Sequence, residues 1–162
     1  MAGARFLDQA LFAELTLAAG ASPRQRQHHN LHEMSEPCHR LLVGLQPDTY
    51  IPPHRHLSAD KAETLIALQG RFGLLLFSEQ GELEATRVLQ AGGECSGVDL
   101  APGQFHALVV LSPDAVLFEC KAGPYRPLGD GEFASWAPAE GSAEASSYRD
   151  WMRACFDDQT AR

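Results

Sequence analysis

From Arg40 to Cys120 the chain is a succession of short apolar runs punctuated by glycine and proline. Residues 41–45, 64–68, 72–77, 83–89, 98–101, 106–111 and 115–120 are each of strand length. The breaks between them are turn sequences: Gln69-Gly70-Arg71, hairpin-like in character, then Glu79-Gln80-Gly81-Glu82, Ala91-Gly92-Gly93, Pro102-Gly103 and Ser112-Pro113-Asp114. Residues 49–53 carry Tyr50 and Ile51 but end in two prolines, which cannot donate to a ladder and so suit a strand end or edge. Many short strands at even spacing bury their apolar faces by packing on one another, as a sandwich or a barrel.

The flanks read differently. Residues 6–19 place Phe6, Leu7, Leu11, Phe12 and Leu15 on one helical face, with Gly20 as the stop. Residues 21–37 are polar and basic without periodicity, and a loop or extended arm is expected there. Residues 123–141 are rich in Pro, Gly and Ala, with Tyr125, Phe133 and Trp136 as packing anchors. Residues 143–158 suit a helix with Tyr148, Trp151, Met152 and Cys155 on one stripe. The expected organisation is a single domain over residues 1–162: a helix and arm (1–37), a β-barrel core (38–122) and a helical extension (123–162).

Charge restricts the partners. The formal charge is −8, from 21 acidic and 13 basic side chains, and such a chain is repelled by phosphate backbones and anionic lipid. No nucleic-acid or membrane partner is expected, and a small anionic ligand held by a few arginines remains compatible. There is no apolar run of about 18 residues. Residues 1–20 hold Asp8 and Glu14 within their apolar stretch, which does not suit a signal peptide. A cytoplasmic location with reduced thiols is expected for Cys38, Cys95, Cys120 and Cys155, with Cys120 as a small core residue.

One stretch stands out chemically. In extended chain, residues at i and i+2 face the same way, so His54 and His56 in Pro53-His54-Arg55-His56 look together while Arg55 looks away. Glu63 opens the next apolar run, and His106 opens another just after the Pro102-Gly103 turn. Imidazole nitrogen and carboxylate oxygen are the donors that divalent transition metals take. His54, His56, Glu63 and His106 are therefore the candidate ligands of one metal, with an acid–base role beside the metal as the alternative for Glu63. Lys61 shares Glu63's face if the strand reaches it, and would bind a substrate anion or lie in solvent. Tyr50 shares His54's parity, and would line the cavity or sit in the core. Arg24, Arg26, His28, His29, Asn30 and His32 form the densest other polar cluster. They are either a solvated loop or an arm over the barrel mouth, offering Arg26, Asn30 and His32 to an anionic or sugar-like ligand.

These residues resemble the two motifs of the cupin superfamily. His54, His56, Glu63 and Gly70 follow the first motif, with Asp48 in place of its first glycine and six residues between His56 and Glu63. Gly97, Pro102, Gly103 and His106 follow the second, with Val110 in place of its asparagine. A narrower resemblance is carried by Ser22-Pro23-Arg24-x-Arg26, Asn30-Leu31-His32, Arg40-Leu41-Leu42, Lys61-x-Glu63, Gly123-Pro124-Tyr125 and Trp136-Ala137-Pro138-x-Glu140. Together with Pro53-His54-Arg55-His56, these look like the WbuC-type cupin-fold metalloproteins, associated with bacterial O-antigen and other surface-polysaccharide loci.

The resemblance implies an all-β cupin barrel, a double-stranded β-helix of jelly-roll type, with a helix and arm before it and a helical tail after it. It also implies one divalent transition metal (Fe, Zn, Mn or Ni) and, by analogy of fold, a homodimer. The leading functional expectation is a metal-dependent oxygenase, isomerase or hydrolase acting on a small polar or sugar-derived molecule. The alternatives are a non-catalytic metal- or ligand-binding accessory protein, its site closed by Phe105 and Phe118, and a metal-independent sugar-nucleotide isomerase using His and Tyr.

Overall fold

The computed structural model describes residues 3–157. Helix α1 spans Gln9–Ala21, and Asp8 caps it by accepting a 3.0 Å hydrogen bond from the Leu11 amide. The helix begins later than the apolar pattern suggests. Phe6 precedes it and stays 79% exposed, and Gly20 lies inside it, the chain leaving only at Ser22. Phe12 and Leu15 are buried against Leu42 and Val116 of the neighbouring sheet. The approach is close, because a Cβ on Gly44 would meet the Leu15 carbonyl oxygen at 2.8 Å.

The arm expected at residues 21–37 is ordered in its first half. Arg26–Asn30 is strand β1, paired antiparallel with β2 (Cys38–Leu45), with Arg26 opposite Leu45 and Asn30 opposite Leu41. Among the described residues it is an edge strand with one hydrogen-bonded neighbour, so it carries polar side chains and shows no apolar alternation.

The remaining strands are β3 (Glu63–Gln69), β4 (Arg71–Phe77), β5 (Leu83–Gln90), β6 (Gly97–Leu100), β7 (Phe105–Val110) and β8 (Ala115–Ala122). They form two antiparallel sheets, of order β1-β2-β8-β3-β6 and β5-β4-β7. This is the expected cupin barrel. The break at Gly70 is not a hairpin, since β3 and β4 lie in different sheets. The chain switches sheets there at φ 78°, where a Cβ would come within 2.7 Å of Ser112 Oγ.

Leu41, Val43, Leu65, Phe72, Leu74 and Leu117 belong to the main core cluster. A second cluster joins Leu75, Phe77 and Val109 to Met152 and Phe156 of the C-terminal extension. Its helix α2 spans Ala145–Ala154, shorter than the expected 143–158, whose last residue lies outside the described residues. Residues 49–53 form no strand, and His54 instead makes isolated antiparallel bridges to His106 and to Phe133. Cys120 is half-buried rather than in the core, its sulfur 3.9 Å from that of Cys38, and both are free thiols. Among the described residues no helix is long and apolar enough to cross a membrane.

Candidate metal centre

Two backbone devices deliver the site. The His54–His106 bridge is closed by both amides, His54 N–H to His106 O at 3.0 Å and His106 N–H to His54 O at 2.9 Å. It brings the two imidazole rings to 4.5 Å between centres. Glu63 opens β3, between β6 and β8, opposite Leu100 on one side and Lys121 on the other. One donor atom from each of His54, Glu63 and His106 lies within 4.8 Å of the other two.

Hydrogen bonding fixes which nitrogen each histidine presents. His54 Nδ1 donates to the Pro52 carbonyl and His106 Nδ1 donates to the Gln104 carbonyl, each at 3.0 Å. A carbonyl only accepts, so each Nδ1 carries a proton and each Nε2 keeps its lone pair in the neutral ring. His106 Nε2 nevertheless lies 3.1 Å from Glu63 Oε2. Two acceptors at that distance require a positive species between or beside them, a proton or a metal ion. Burial, with the neighbouring His106 as a second cause, pushes His54 down to about 3, so it is a neutral imidazole over the physiological range. His56 stands outside the trio of donors. Its buried Nε2 approaches Glu63 Oε1 at 3.4 Å and has no hydrogen-bond partner. An orphaned buried imidazole nitrogen, two lone-pair nitrogens and a buried carboxylate together fit a divalent transition metal.

Two residues beside this group carry charge that the apolar reading of residues 115–120 overlooked. Lys121 Nζ is 3.0 Å from Glu63 Oε1 and 2.5 Å from Glu119 Oε1. Burial would lower Lys121, but Glu119 and Glu63 together lift it above the ordinary lysine range. Burial would also raise Glu63, yet the adjoining His106 and His56 imidazoles, which become donors to it when protonated, and the charge of Lys121 hold it well below its usual value. Glu119 moves the other way, pushed up by burial and by Glu63. The available signal was the i, i+2 spacing of Glu119 and Lys121, which share the inward face of β8 with Leu117.

The centre sits on the wall of a cavity of about 230 Å³. Its far end is built from the arm, because Arg26 lies level with Leu45 and, through it, Ala115, well along β8 from the Lys121 that faces Glu63. Arg26, only 7% exposed in its side chain, bonds Thr49 Oγ1 at 3.2 Å, the Tyr50 carbonyl at 3.1 Å and Glu140 at 2.8 Å. Arg24 grips Glu140 with two bonds of 2.9 and 2.7 Å. His28 lies at the exposed rim.

Of the five expected substrate contacts, only Arg26 lines this cavity. Asn30 is exposed, its amide 3.7 Å from Met34 Sδ. His32 is buried away from the cavity, stacked on His39 at 4.0 Å with Nδ1 accepting from the Arg40 amide at 3.0 Å. Tyr50 is in the core, its hydroxyl donating to the Pro138 carbonyl at 2.8 Å. Lys61 precedes β3 in a turn, so strand parity does not apply, and it lines a separate hollow beside His56. Phe105 and Phe118 do not seal the centre: Phe105 packs under Arg55 and Trp136, and Phe118 joins the α1 cluster.

A family model described as Domain of unknown function (DUF6016) matches residues 7–89, just over half of the chain. The chain belongs to the DUF6016 family. The match takes in His54, His56 and Glu63 and ends before His106, Glu119 and Lys121. No curated protein matches the chain by sequence. Among solved structures, KdgF from Halomonas sp. superposes with a TM-score of 0.50 at 20% identity, over 65% of this chain and 84% of that one. The conserved SPY1581 protein of unknown function from Streptococcus pyogenes gives 0.51 at 13%, over 78% and 93%. CapF, solved with the inhibitor 3-isopropenyl-tropolone, gives 0.54 at 11%, over 65% and 30%. At these identities the likeness is one of fold, and it places this DUF6016 member among cupin barrels.

Proposed function

We propose that this protein is a metal-dependent enzyme acting on a small anionic or sugar-derived molecule. The observation that carries the reading is the convergence of His54, Glu63 and His106 on the wall of a cavity large enough for a ligand. His56 would complete the ligand set, drawn in by the lone pair it leaves unpaired. A divalent metal held there would act as a Lewis acid or activate a bound water or dioxygen. Lys121 would hold Glu63 ionised and offer its ammonium to the substrate, and Arg26 would add positive potential at the opposite end that helps draw an anion into the cavity.

A cavity beside the trio favours turnover over a sealed binding module. Tyr50, buried with its hydroxyl on Pro138, does not supply the acid that a metal-independent isomerase needs. The WbuC-type resemblance supports a place in surface-polysaccharide metabolism such as O-antigen synthesis, and a single domain acting as a homodimer is part of the same proposal.

The test is metal stoichiometry. Protein purified without added metal, then offered Fe(II), Zn, Mn or Ni in turn, should retain about one ion per chain. His54→Ala and His106→Ala should each lose most of it while keeping wild-type circular dichroism. Wild-type protein that retains none of the four would overturn the reading.

A further inference from the structure

The cavity beside the candidate metal centre has charged ends and a hydrocarbon middle. Arg24, Arg26 and Lys121 are balanced by Glu63, Glu119 and Glu140 among its lining side chains. The formal charge therefore cancels without a metal, and a divalent ion leaves the cavity with two positive charges. Between the ends, the wall is made by Val43, Leu45, Leu65, Leu108 and Leu117, all but fully buried and without polar side-chain atoms. Phe133 closes the rim near the metal end, its ring centre 6.5 Å from that of His54.

Size narrows the ligand further. An apolar cavity of roughly 150 Å³ accommodates benzene. A volume of about 230 Å³ therefore admits a body of roughly eight to twelve non-hydrogen atoms. A sugar nucleotide would leave most of its atoms outside. A free sugar acid fits by size but not by chemistry, since ring hydroxyls laid along leucine and valine lose their hydrogen bonds to water and gain none.

We propose that the ligand of this cavity is a small organic acid with a hydrocarbon body, its oxygen donors at the His54–Glu63–His106 end and its body along the leucine and valine wall, rather than a polyhydroxylated sugar acid. The charge part of the argument rests on the reading of that end as a metal centre; the apolar wall does not depend on it.

The test compares four anions of equal charge by calorimetry on the zinc-loaded full-length protein: 3-phenylpropanoate and hexanoate against gluconate and glucuronate. The hydrocarbon acids should bind at least tenfold tighter. Phe133→Asn and Leu128→Asn, both at side chains that keep solvent exposure, should weaken 3-phenylpropanoate fivefold or more without changing zinc stoichiometry. Methyl resonances of Val43, Leu65, Leu108 and Leu117 should shift on adding 3-phenylpropanoate. Sugar acids binding as tightly as the hydrocarbon acids, or methyl resonances that do not move, would overturn the proposal while leaving the metal reading intact. If no zinc is retained, the same four titrations on the metal-free protein still decide the preference of the wall, and the metal reading is decided separately by the four-metal stoichiometry.

Discussion

Replacing Lys121 with methionine isolates the charge balance of the site. The substitution keeps the side-chain length and removes what is, among the described residues, the only cation bonded to both Glu63 and Glu119, whose side chains are 4% and 16% exposed. Removing one partner from a buried charge network costs roughly 3–5 kcal/mol, because the remaining charges stay desolvated. Lys121 itself keeps 22% of its side chain in solvent, which places the cost near the lower end, about 3 kcal/mol. A domain of this length loses about 2–4 °C of Tm per kcal/mol, so the metal-free variant should melt about 6–12 °C below the wild type in differential scanning calorimetry.

Two controls make the reasoning specific. Zinc should narrow the deficit, because the ion supplies at Glu63 the positive charge that the ammonium supplied. Lowering the pH should narrow it too. Glu63 is held below its ordinary value in the folded protein, so its contribution is present above the unfolded carboxylate pKa and disappears as the pH falls through the folded one. A metal-free melting temperature within about 2 °C of the wild type, or a deficit that zinc does not change, would refute the argument.

Other substitutions read other parts of the structure. Glu140→Ala should cost about 2 kcal/mol in urea unfolding, since it leaves Arg26 buried without its carboxylate, whereas Arg24→Ala at an exposed pair should cost under ~1 kcal/mol. Arg24's hydrogen bond, opposed by burial and helped by the charges of both arginines, depresses Glu140. The difference between Glu140→Ala and wild type should therefore hold above the unfolded carboxylate pKa and shrink below it. Tyr50→Phe should lose about 1 kcal/mol with the Pro138 hydrogen bond and leave metal content unchanged; loss of metal would return Tyr50 to the site. Gly73→Ala would press a Cβ to within 2.4–2.7 Å of the buried Phe156 ring, and thermal melts should show about 1–3 kcal/mol of destabilisation from the displaced C-terminal segment.

The parts of the site legible in the sequence are those written in local chemistry. His54 and His56 sit at i, i+2, Glu63 stands at a run boundary and His106 follows a turn, so their spacing is visible without the fold. Glu119 and Lys121 are hidden because the apolar run of residues 115–120 masks the first and stops before the second, and because their importance comes from pairing with Glu63 across the sheet. The arm was legible as a polar cluster but not as an edge strand. A five-residue strand whose burial comes from one neighbour leaves no alternation to read, and that geometry selects Arg26 for the cavity and turns Asn30 and His32 elsewhere. For Lys61 and Tyr50 parity could not choose between the two readings, because it needs a strand and the chain is irregular at both positions. The hairpin expected at Gly70 failed because a turn sequence does not state which sheet the next strand joins.

The order of the larger sheet has a consequence for how the chain reaches this state. Strand β8 lies between β2 and β3, so the last strand in sequence fills the middle of the sheet. Until it arrives, β2 and β3 each present an unpaired apolar edge, and Glu63 lacks both Lys121 and its place in a completed ladder. Closure therefore depends on contacts between residues as distant as Cys38 and Ala122, which slows folding relative to a chain built from local pairs. During synthesis the first two thirds of the polypeptide would leave the ribosome as an open sheet with a gap of one strand, a state that another strand of the right character could occupy. The centre of this protein is thus assembled last, by the same insertion that shields its most adhesive edges.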